Sequence, residues 1–505
     1  MSLSAIYLLA GSVAALLLAS LFKRRTRYPP GPPGLPLIGN LFDVPIHYPW
    51  VKYKKLGLQY IHFQVLGMHI VVLSSLKAIS DVMEKQSNVT SDRPGSVMMN
   101  ELAGWSRSWV NFEYSERWRA HRRLFHQHYR AAAASQYHTK QTTYARRLLQ
   151  LLVNTPEEFP EHIRYSVGAM VIDIVYAFDV KPEDPLMSLV ENAVQSAEEI
   201  VAAGVYLVDV LPILRYVPAW FPGALFKRNA ARWKVFVDGL FDIPYKRYKE
   251  LMQTGEAKPC FTSALLSGVE DSEKLASMDE MFASLTGTAY AAGTDTIVST
   301  LNMFLWAMIT FPEAQTAAHA ALDRVLNRKR LPDIEDRDAI PYLTALLYEV
   351  MRWRPLVPLG FPHRTTAESY YNGFVIPAKT IVFGNTWVIL QDESLCPEPH
   401  RFAPERFLGP DGALRTDVHV PVEFFGYGRR ICPGRHFATD TLWLALAHIL
   451  AVFAVEGAEP RAINGEALEE QFTSCFISVP KPFKCRFTPR FPEAAALIRS
   501  GALAD

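Results

Sequence analysis

The fold class this sequence predicts is mainly α with small β-sheets, an α+β arrangement, and three stretches predict it. "SMDEMFASLTGTAYAAGTDTIVSTLNMFLWAMITFP" is a long apolar run with Ser277 or Asp279 as its cap and Pro312 as its stop. At 1.5 Å per residue such a helix spans about 45–50 Å, enough to cross a large domain. "PYLTALLYEVMRWRP" reads as a second helix, opened by Pro341 and closed by Pro355. "YYNGFVIPAKTIVFGN" has the pattern of a strand pair with a turn.

In chain order, the first element is "SAIYLLAGSVAALLLASLF", Ser4 to Phe22, uncharged, helix-compatible and about long enough to cross a bilayer. "KRRTR" follows, and excess positive charge marks the cytoplasmic side. A cleaved signal peptide is the rival reading. Against it, the basic cluster comes after the apolar run, and "YPPGPPGLPLIGN" stands where a small-residue cleavage site would be. That proline-glycine segment cannot be helical and makes a semi-rigid strut. The expected organisation is an N-terminal transmembrane anchor and basic stop over residues 1–27. A single domain over 28–505, beginning with a proline-rich hinge, would face the cytosol. Asn88-Val89-Thr90 fits a glycosylation acceptor that such a body leaves unused. Further on, "VVLSSLKAISDVMEKQ" reads as strand giving way to helix, and Glu116 to Asn154 is mostly helical in pattern.

With 505 residues, 49% of them hydrophobic, a sizeable core needs no crosslinks. A net charge of +1 argues against a general nucleic-acid binder. The cysteines Cys260, Cys396, Cys432, Cys475 and Cys485 lie far apart with no CxxC pair, so neither a disulfide framework nor a structural zinc site is indicated.

One of the five is in unusual company. "FFGYGRRICPGRHFA", Phe424 to Ala438, opens the apolar run "TLWLALAHIL". Pro433 at a first helical position would make Cys432 the helix N-cap, and that site, with Arg429 and Arg430 nearby, lowers a thiol's pKa. Gly426, Gly428 and Gly434 let the backbone approach something flat and bulky. A thiolate on such a loop suits a haem iron. Read as F-x-x-G-x-R-x-C-x-G, the stretch matches at Phe425, Gly428, Arg430, Cys432 and Gly434, and it resembles the haem-binding loop of the cytochrome P-450 superfamily. Three further stretches resemble that family's motifs, in the expected order: "AGTDT" (Ala292 to Thr296), "EVMR" (Glu349 to Arg352) and "PERF" (Pro404 to Phe407). The resemblance covers nearly everything from Pro29 onward.

The resemblance implies the cytochrome P-450 fold, haem b as cofactor and Cys432 as axial ligand of its iron. It implies that Glu349, Arg352 and Arg406 brace the cysteine loop; by spacing alone Glu349 and Arg352 are i,i+3 neighbours on one helix face. It implies that Trp118 and Arg122, i,i+4 in "WRAHRR", reach a haem propionate together with His363 and Arg430, with Arg364 as the substitute if the register slips by one. Arg119 and Arg123 point elsewhere, to solvent. In "AGTDT", Gly293 and Thr296 can loosen the helical ladder into a bulge, while Asp295 and Thr296 supply an acid and a hydroxyl, the minimum relay for delivering protons. Gln391 stands where many relatives carry histidine, a position expected to be peripheral.

By analogy the pocket wall includes Ala292, Val357, Phe361 and Phe476, which suits a lipophilic terpenoid, polyketide or aromatic. "VAAGVYLVDVLPILRYVPAWFPGALF" is either a lid whose Trp220 and Phe221 dip into a membrane or ordinary buried core. The resemblance implies a monooxygenase that hydroxylates or epoxidises its substrate with O2 and NADPH-derived electrons. NADPH-cytochrome P-450 reductase would dock on Arg119, Arg123, Arg429 and Arg435, with cytochrome b5 as a second partner and the endoplasmic reticulum membrane as the address. "PAWFPGALFKRNA" and "PHRTT" resemble the fungal secondary-metabolism branch. Two alternatives stand beside this reading, a reductase-independent haem-thiolate isomerase and a non-catalytic haem sensor. The intact Asp295–Thr296 pair speaks against the isomerase.

Overall fold

A computed structural model describes residues 27–202, 206–457 and 465–501, so the expected anchor at 1–27 lies, apart from Arg27, outside the described residues. Nine helices of 13 residues or more are described, in chain order α1 (Glu116–Tyr129), α2 (His138–Asn154), α3 (Phe159–Tyr176), α4 (Pro185–Ala202), α5 (Leu225–Thr254), α6 (Ser272–Thr310), α7 (Pro312–Leu326), α8 (Pro341–Trp353) and α9 (Arg435–Val452). Among the described residues no single helix is long and apolar enough to cross a membrane.

α6 is the axle of the fold. Its 39 residues make it about 58 Å long. It starts earlier than Ser277 or Asp279 because Asp271 caps it, accepting from the Glu273 N–H at 2.9 Å and the Lys274 N–H at 3.1 Å. The first turn is polar, so apolar periodicity does not mark it. α6 packs on α3, α4, α5 and α9, while α2 closes the layer against α3 and α9. At the centre Trp306 and Trp353 stack at 5.5 Å, and both are fully buried with Trp443. A buried aromatic of 150–250 Å² contributes about 4–6 kcal/mol at 25 cal/mol per Å².

The sheets are small. β1 (Tyr60–Val65), β2 (Met68–Leu73), β3 (His363–Arg364) and β6 (Ile381–Gly384) form one sheet in the order β1-β2-β6-β3. β4 (Ser369–Tyr371) and β5 (Phe374–Ile376) form a hairpin turned by Asn372 and Gly373, both at positive φ as the tight two-residue turn requires. The strand pair expected in "YYNGFVIPAKTIVFGN" is therefore β4–β5. Its tail, β6, leaves to pair in parallel with β2, Val71 opposite Val382. β7 (Phe453–Gly457) and β8 (Cys485–Pro489) pair antiparallel. In the acceptor sequence at Asn88, the Thr90 hydroxyl is buried and donates to the Val82 carbonyl at 2.8 Å.

Candidate functional site

Cys432 sits on a loop folded back on itself, its N–H donating to the Phe425 carbonyl at 2.8 Å. Gly426 (φ 83°) and Gly428 (φ 53°) make the turn, and a Cβ on Gly428 would lie 2.4 Å from the Met83 carbonyl oxygen. Two expectations about the thiol are corrected here. α9 begins at Arg435 with Gly434 as its N-cap, so Cys432 and Pro433 stand ahead of the helix. Burial pushes the Cys432 thiol up, against the Gly434 N–H, Arg122 and Arg435, which pull it down. Arg429 meets Tyr114 and Arg430 bonds to backbone carbonyls, so neither acts on the sulfur. Burial outweighs the nearby cations, and a metal bound to sulfur is what deprotonates such a thiol outright.

Behind the loop, α8 and the turn Pro404–Phe407 hold a dense ion network. Arg352 grips Glu349 with two bonds of 2.7 and 2.8 Å, and Arg406 adds a contact of 3.2 Å. The Ala403 N–H donates to Glu349 at 2.7 Å. The remaining guanidinium donors of Arg352 and Arg406 go to the carbonyls of Leu390, Pro397, Glu398, Pro399 and Arg401. Gln391 is not peripheral; it is buried and donates to the Trp353 carbonyl at 3.1 Å, closing the end of α8. A cavity of about 420 Å³ opens beside this network and is lined by Arg352, Cys396, Arg406 and His419, away from Cys432.

On the other flank the structure brings Trp118, Arg122, His363 and Arg430 together and adds a residue sequence reasoning missed, Arg93. Arg430 donates to the Ser91 and Phe112 carbonyls at 2.8 and 2.7 Å and stacks 4.3 Å from the Trp118 ring. Arg93 donates to the Pro362 carbonyl at 2.6 Å. His363 is buried with Nδ1 2.8 Å from the Thr90 carbonyl, and burial with Arg93 and Arg430 nearby holds it well below the usual imidazole range. Arg364 is no substitute, because it pairs with Asp92 and Glu113. Asp92 also takes the Tyr114 N–H. Burial, reinforced by neighbouring cations, pushes Arg430 down to about 8. Burial likewise pushes Arg122 down to about 10, with Cys432 pulling up and Arg435 adding to the fall. Burial takes Arg93 to about 10 against the pull of Asp92. Arg122 makes no hydrogen bond or ion pair among the described residues, and the buried Trp118 Nε1 has no partner there. Three crowded guanidiniums and an unpartnered indole N–H fit a ligand with two carboxylates beside Cys432, which is what haem b presents. The only sign of Arg93 in the sequence is a lone arginine before Pro94.

Above, α6 runs through "AGTDT" as uninterrupted α-helix, so the expected bulge is absent. The Thr296 hydroxyl does bond back, donating to the Ala292 carbonyl at 2.8 Å. One turn of donation satisfies the hydroxyl without displacing the backbone. Asp295 turns to α3, its Oδ1 3.9 Å from Arg164, and burial raises its pKa with Arg164 opposing. Phe361 and Phe476 meet edge to face at 4.7 Å, and Val357 and Phe476 are half-buried. Ala292 is exposed on α6.

On the surface, Trp220 (78% exposed) and Phe221 (50%) are not core, which removes that alternative. Arg123 and Arg429 are exposed and Arg119 and Arg435 half-buried, with Arg119 held by Glu116 at 2.9 Å.

The sequence matches the family model described as Cytochrome P450 over residues 29–485. It is 38% identical to a tryptamine 4-monooxygenase of Psilocybe cyanescens, over 93% of this chain and 94% of that one. It is 38% identical to cytochrome P450 monooxygenase ple1 of Rhodocybe pseudopiperita, over 95% and 92%, and 36% identical to cytochrome P450 monooxygenase claR of Ampulloclitocybe clavipes, over 97% and 91%.

Proposed function

The chain belongs to the cytochrome P450 family and is a monooxygenase of it, similar to fungal members, and on that premise we propose that it hydroxylates or epoxidises a lipophilic terpenoid, polyketide or aromatic in secondary metabolism. The oxidant is O2, and the electrons come from NADPH through a partner reductase. The observation that carries the haem assignment is the buried cluster of Arg93, Arg122 and Arg430 beside Cys432, in which Arg122 and the Trp118 indole N–H have no hydrogen-bond partner among the described residues. Cys432 would hold the iron, and Trp118, Arg122, His363 and Arg430, with Arg93, would hold the two carboxylates. When bound, the haem activates O2 and passes one oxygen atom to the substrate.

The other residues act around that chemistry. Asp295 and Thr296 hold and move protons at a carboxyl oxygen and a hydroxyl. Phe361 and Phe476, with Val357 and Ala292, form an apolar wall that orients substrate and excludes water. Glu349, Arg352 and Arg406 keep the cysteine loop in place. The name of one relative, tryptamine 4-monooxygenase, supports keeping aromatics among the substrates.

The address we propose is the endoplasmic reticulum membrane, single-pass, with the body in the cytosol. The uncharged run Ser4 to Phe22 supports it, as do the exposed Ile213, Tyr216, Trp220 and Phe221. Arg123 and Arg429, with Arg119 and Arg435, offer a basic face to an acidic reductase or cytochrome b5.

The test is spectral. The reduced carbon monoxide complex should give the thiolate-type Soret band, and Cys432→His should abolish it or move it to the ordinary haem position. A thiolate spectrum in that variant would remove Cys432 as ligand. NADPH consumption with purified reductase, followed by mass analysis of fed lipophilic precursors for products one oxygen heavier, tests the rest.

A further inference from the structure

His363 is held where two stretches of backbone are laced together. Its Nδ1 lies 2.8 Å from the Thr90 carbonyl, and the next N–H, of Arg364, donates to the Asp92 carbonyl at 2.8 Å. Arg93 reaches back to the Pro362 carbonyl at 2.6 Å, and Arg430 takes the Ser91 carbonyl at 2.8 Å. Both guanidiniums are thus anchored on chain neighbours of the imidazole and of its acceptor. The side chain is 2% exposed, and Nε2 makes no hydrogen bond among the described residues. A carbonyl oxygen only accepts, so Nδ1 carries a hydrogen toward Thr90. A neutral imidazole has just one N–H, which leaves Nε2 a bare lone pair. Burial first, then Arg93 and Arg430, keeps the ring neutral in the protein alone, against the pull of the Thr90 carbonyl. A lone pair cannot donate to a carboxylate, so the ring as it stands is the wrong partner for one.

We propose that His363 takes up one proton at Nε2 when the two carboxylates of the porphyrin enter this cluster, so that cofactor retention weakens as pH rises; this rests on the haem reading above. The proton comes from water, an N–H bond forms on Nε2, and the resulting imidazolium donates to Thr90 through one nitrogen and to a carboxylate through the other. The reversal is electrostatic: cations disfavour the charged ring, and an entering anion favours it. The charged groups packed around the ring are Asp92 and Arg93 from the stretch after Thr90 and Arg430 from the cysteine loop. On its own strand Arg364 is held by Asp92 and Glu113, and β6 opposite brings the apolar Ile381 and Val382. Asp92 is spent on Arg364 and the Tyr114 N–H, so it does not supply the missing anion. The loaded site binds one proton more than the empty one, so affinity for the porphyrin falls as pH rises. The fall is about tenfold per unit between the depressed pKa of the ring in the empty site and its raised pKa in the loaded one.

The full-length chain freed of haem and titrated with iron-free protoporphyrin IX tests this. That probe presents the same two carboxylates and leaves Cys432 a thiol, so protons released by the sulfur do not enter the count. Calorimetry at about pH 7 in buffers of different ionisation enthalpy should show about one proton taken up per porphyrin by the native protein. His363→Gln, whose amide N–H donates without protonation, should bind the porphyrin and take up about none. Nitrogen-15 spectra of the histidine-labelled native protein should show one ring gain a second N–H on loading. In the holoenzyme, haem transfer to apomyoglobin should quicken with pH, by up to about tenfold per unit, and the His363→Gln profile should be flatter. If the porphyrin binds and the native protein takes up no proton, or His363→Gln takes up as many, the His363 step falls and the haem reading stands. If no histidine gains an N–H on loading, the proposal is overturned without any variant. If the native protein binds neither porphyrin nor haem, the haem reading itself falls.

Discussion

Glu349 with Arg352 and Arg406, and Arg93 with Arg122 and Arg430, both gather arginines inside the protein, yet only the first group has a carboxylate at its centre. In the first, two guanidiniums converge on one fully buried carboxylate and their spare donors end on carbonyls. Opposite charges desolvated together hold geometry, and the cost of burial is offset within the cluster. In the second, burial drives every arginine below its ordinary pKa, neighbouring cations add to the fall at Arg122 and Arg430, and Asp92 offsets it only in part at Arg93 and Arg430. A fold does not bury cations so poorly matched by carboxylates for its own stability; they fit a site built for a dianion. Charge balance therefore separates a brace from a binding site, although both are arginine-rich.

Breaking the balanced cluster should have the largest effect. Glu349→Ala strands Arg352, 3% exposed, without its partner and should cost about 3–5 kcal/mol, read as a fall in denaturation midpoint and soluble yield. A native midpoint would show that the network is no brace. The unbalanced cluster should respond in the opposite sense. Arg122→Met removes a buried cation that makes no hydrogen bond or ion pair among the described residues, so the denaturation midpoint of the polypeptide should stay or rise. Haem transfer to apomyoglobin should quicken by a loss of about 1.5–3 kcal/mol, typical of a hydrogen bond to a charged group. Arg93→Leu should speed haem loss less, by about 1–2 kcal/mol, and also lower the midpoint slightly because the Pro362 carbonyl loses its donor. Trp118→Phe should be the mildest, about 0.5–1.5 kcal/mol in haem retention with little change in folding, since the indole N–H has no partner among the described residues. Equal damage to folding from Arg122→Met and Glu349→Ala would erase the distinction.

Some of the site was legible because it is local. Glu349 and Arg352 share a helix face by their spacing, Asn372-Gly373 dictates a tight turn, and the glycines around Cys432 announce a loop pressed against other backbone. Other parts were misjudged from local cues. Pro433 suggests a helix start, but α9 begins at Arg435, and burial rather than a helix N-terminus sets the direction of the Cys432 shift. Thr296 was expected to break the ladder of α6, yet its hydroxyl is satisfied by the Ala292 carbonyl within an intact helix.

The amino-acid sequence by itself determined the helical class, the candidate iron ligand and the order of the motifs, because these depend on composition, periodicity and neighbours within a few residues. Only the tertiary structure decided what sits beside what. It carried β6 away from β5 to β2 and placed Arg93 with His363, some 270 residues on. It also tied Asp295 of α6 and Glu191 of α4 to Arg164 of α3 and set the sign of the Cys432 shift. Burial and the charges that surround a group are summed over the whole fold, and no stretch of chain carries that sum on its own.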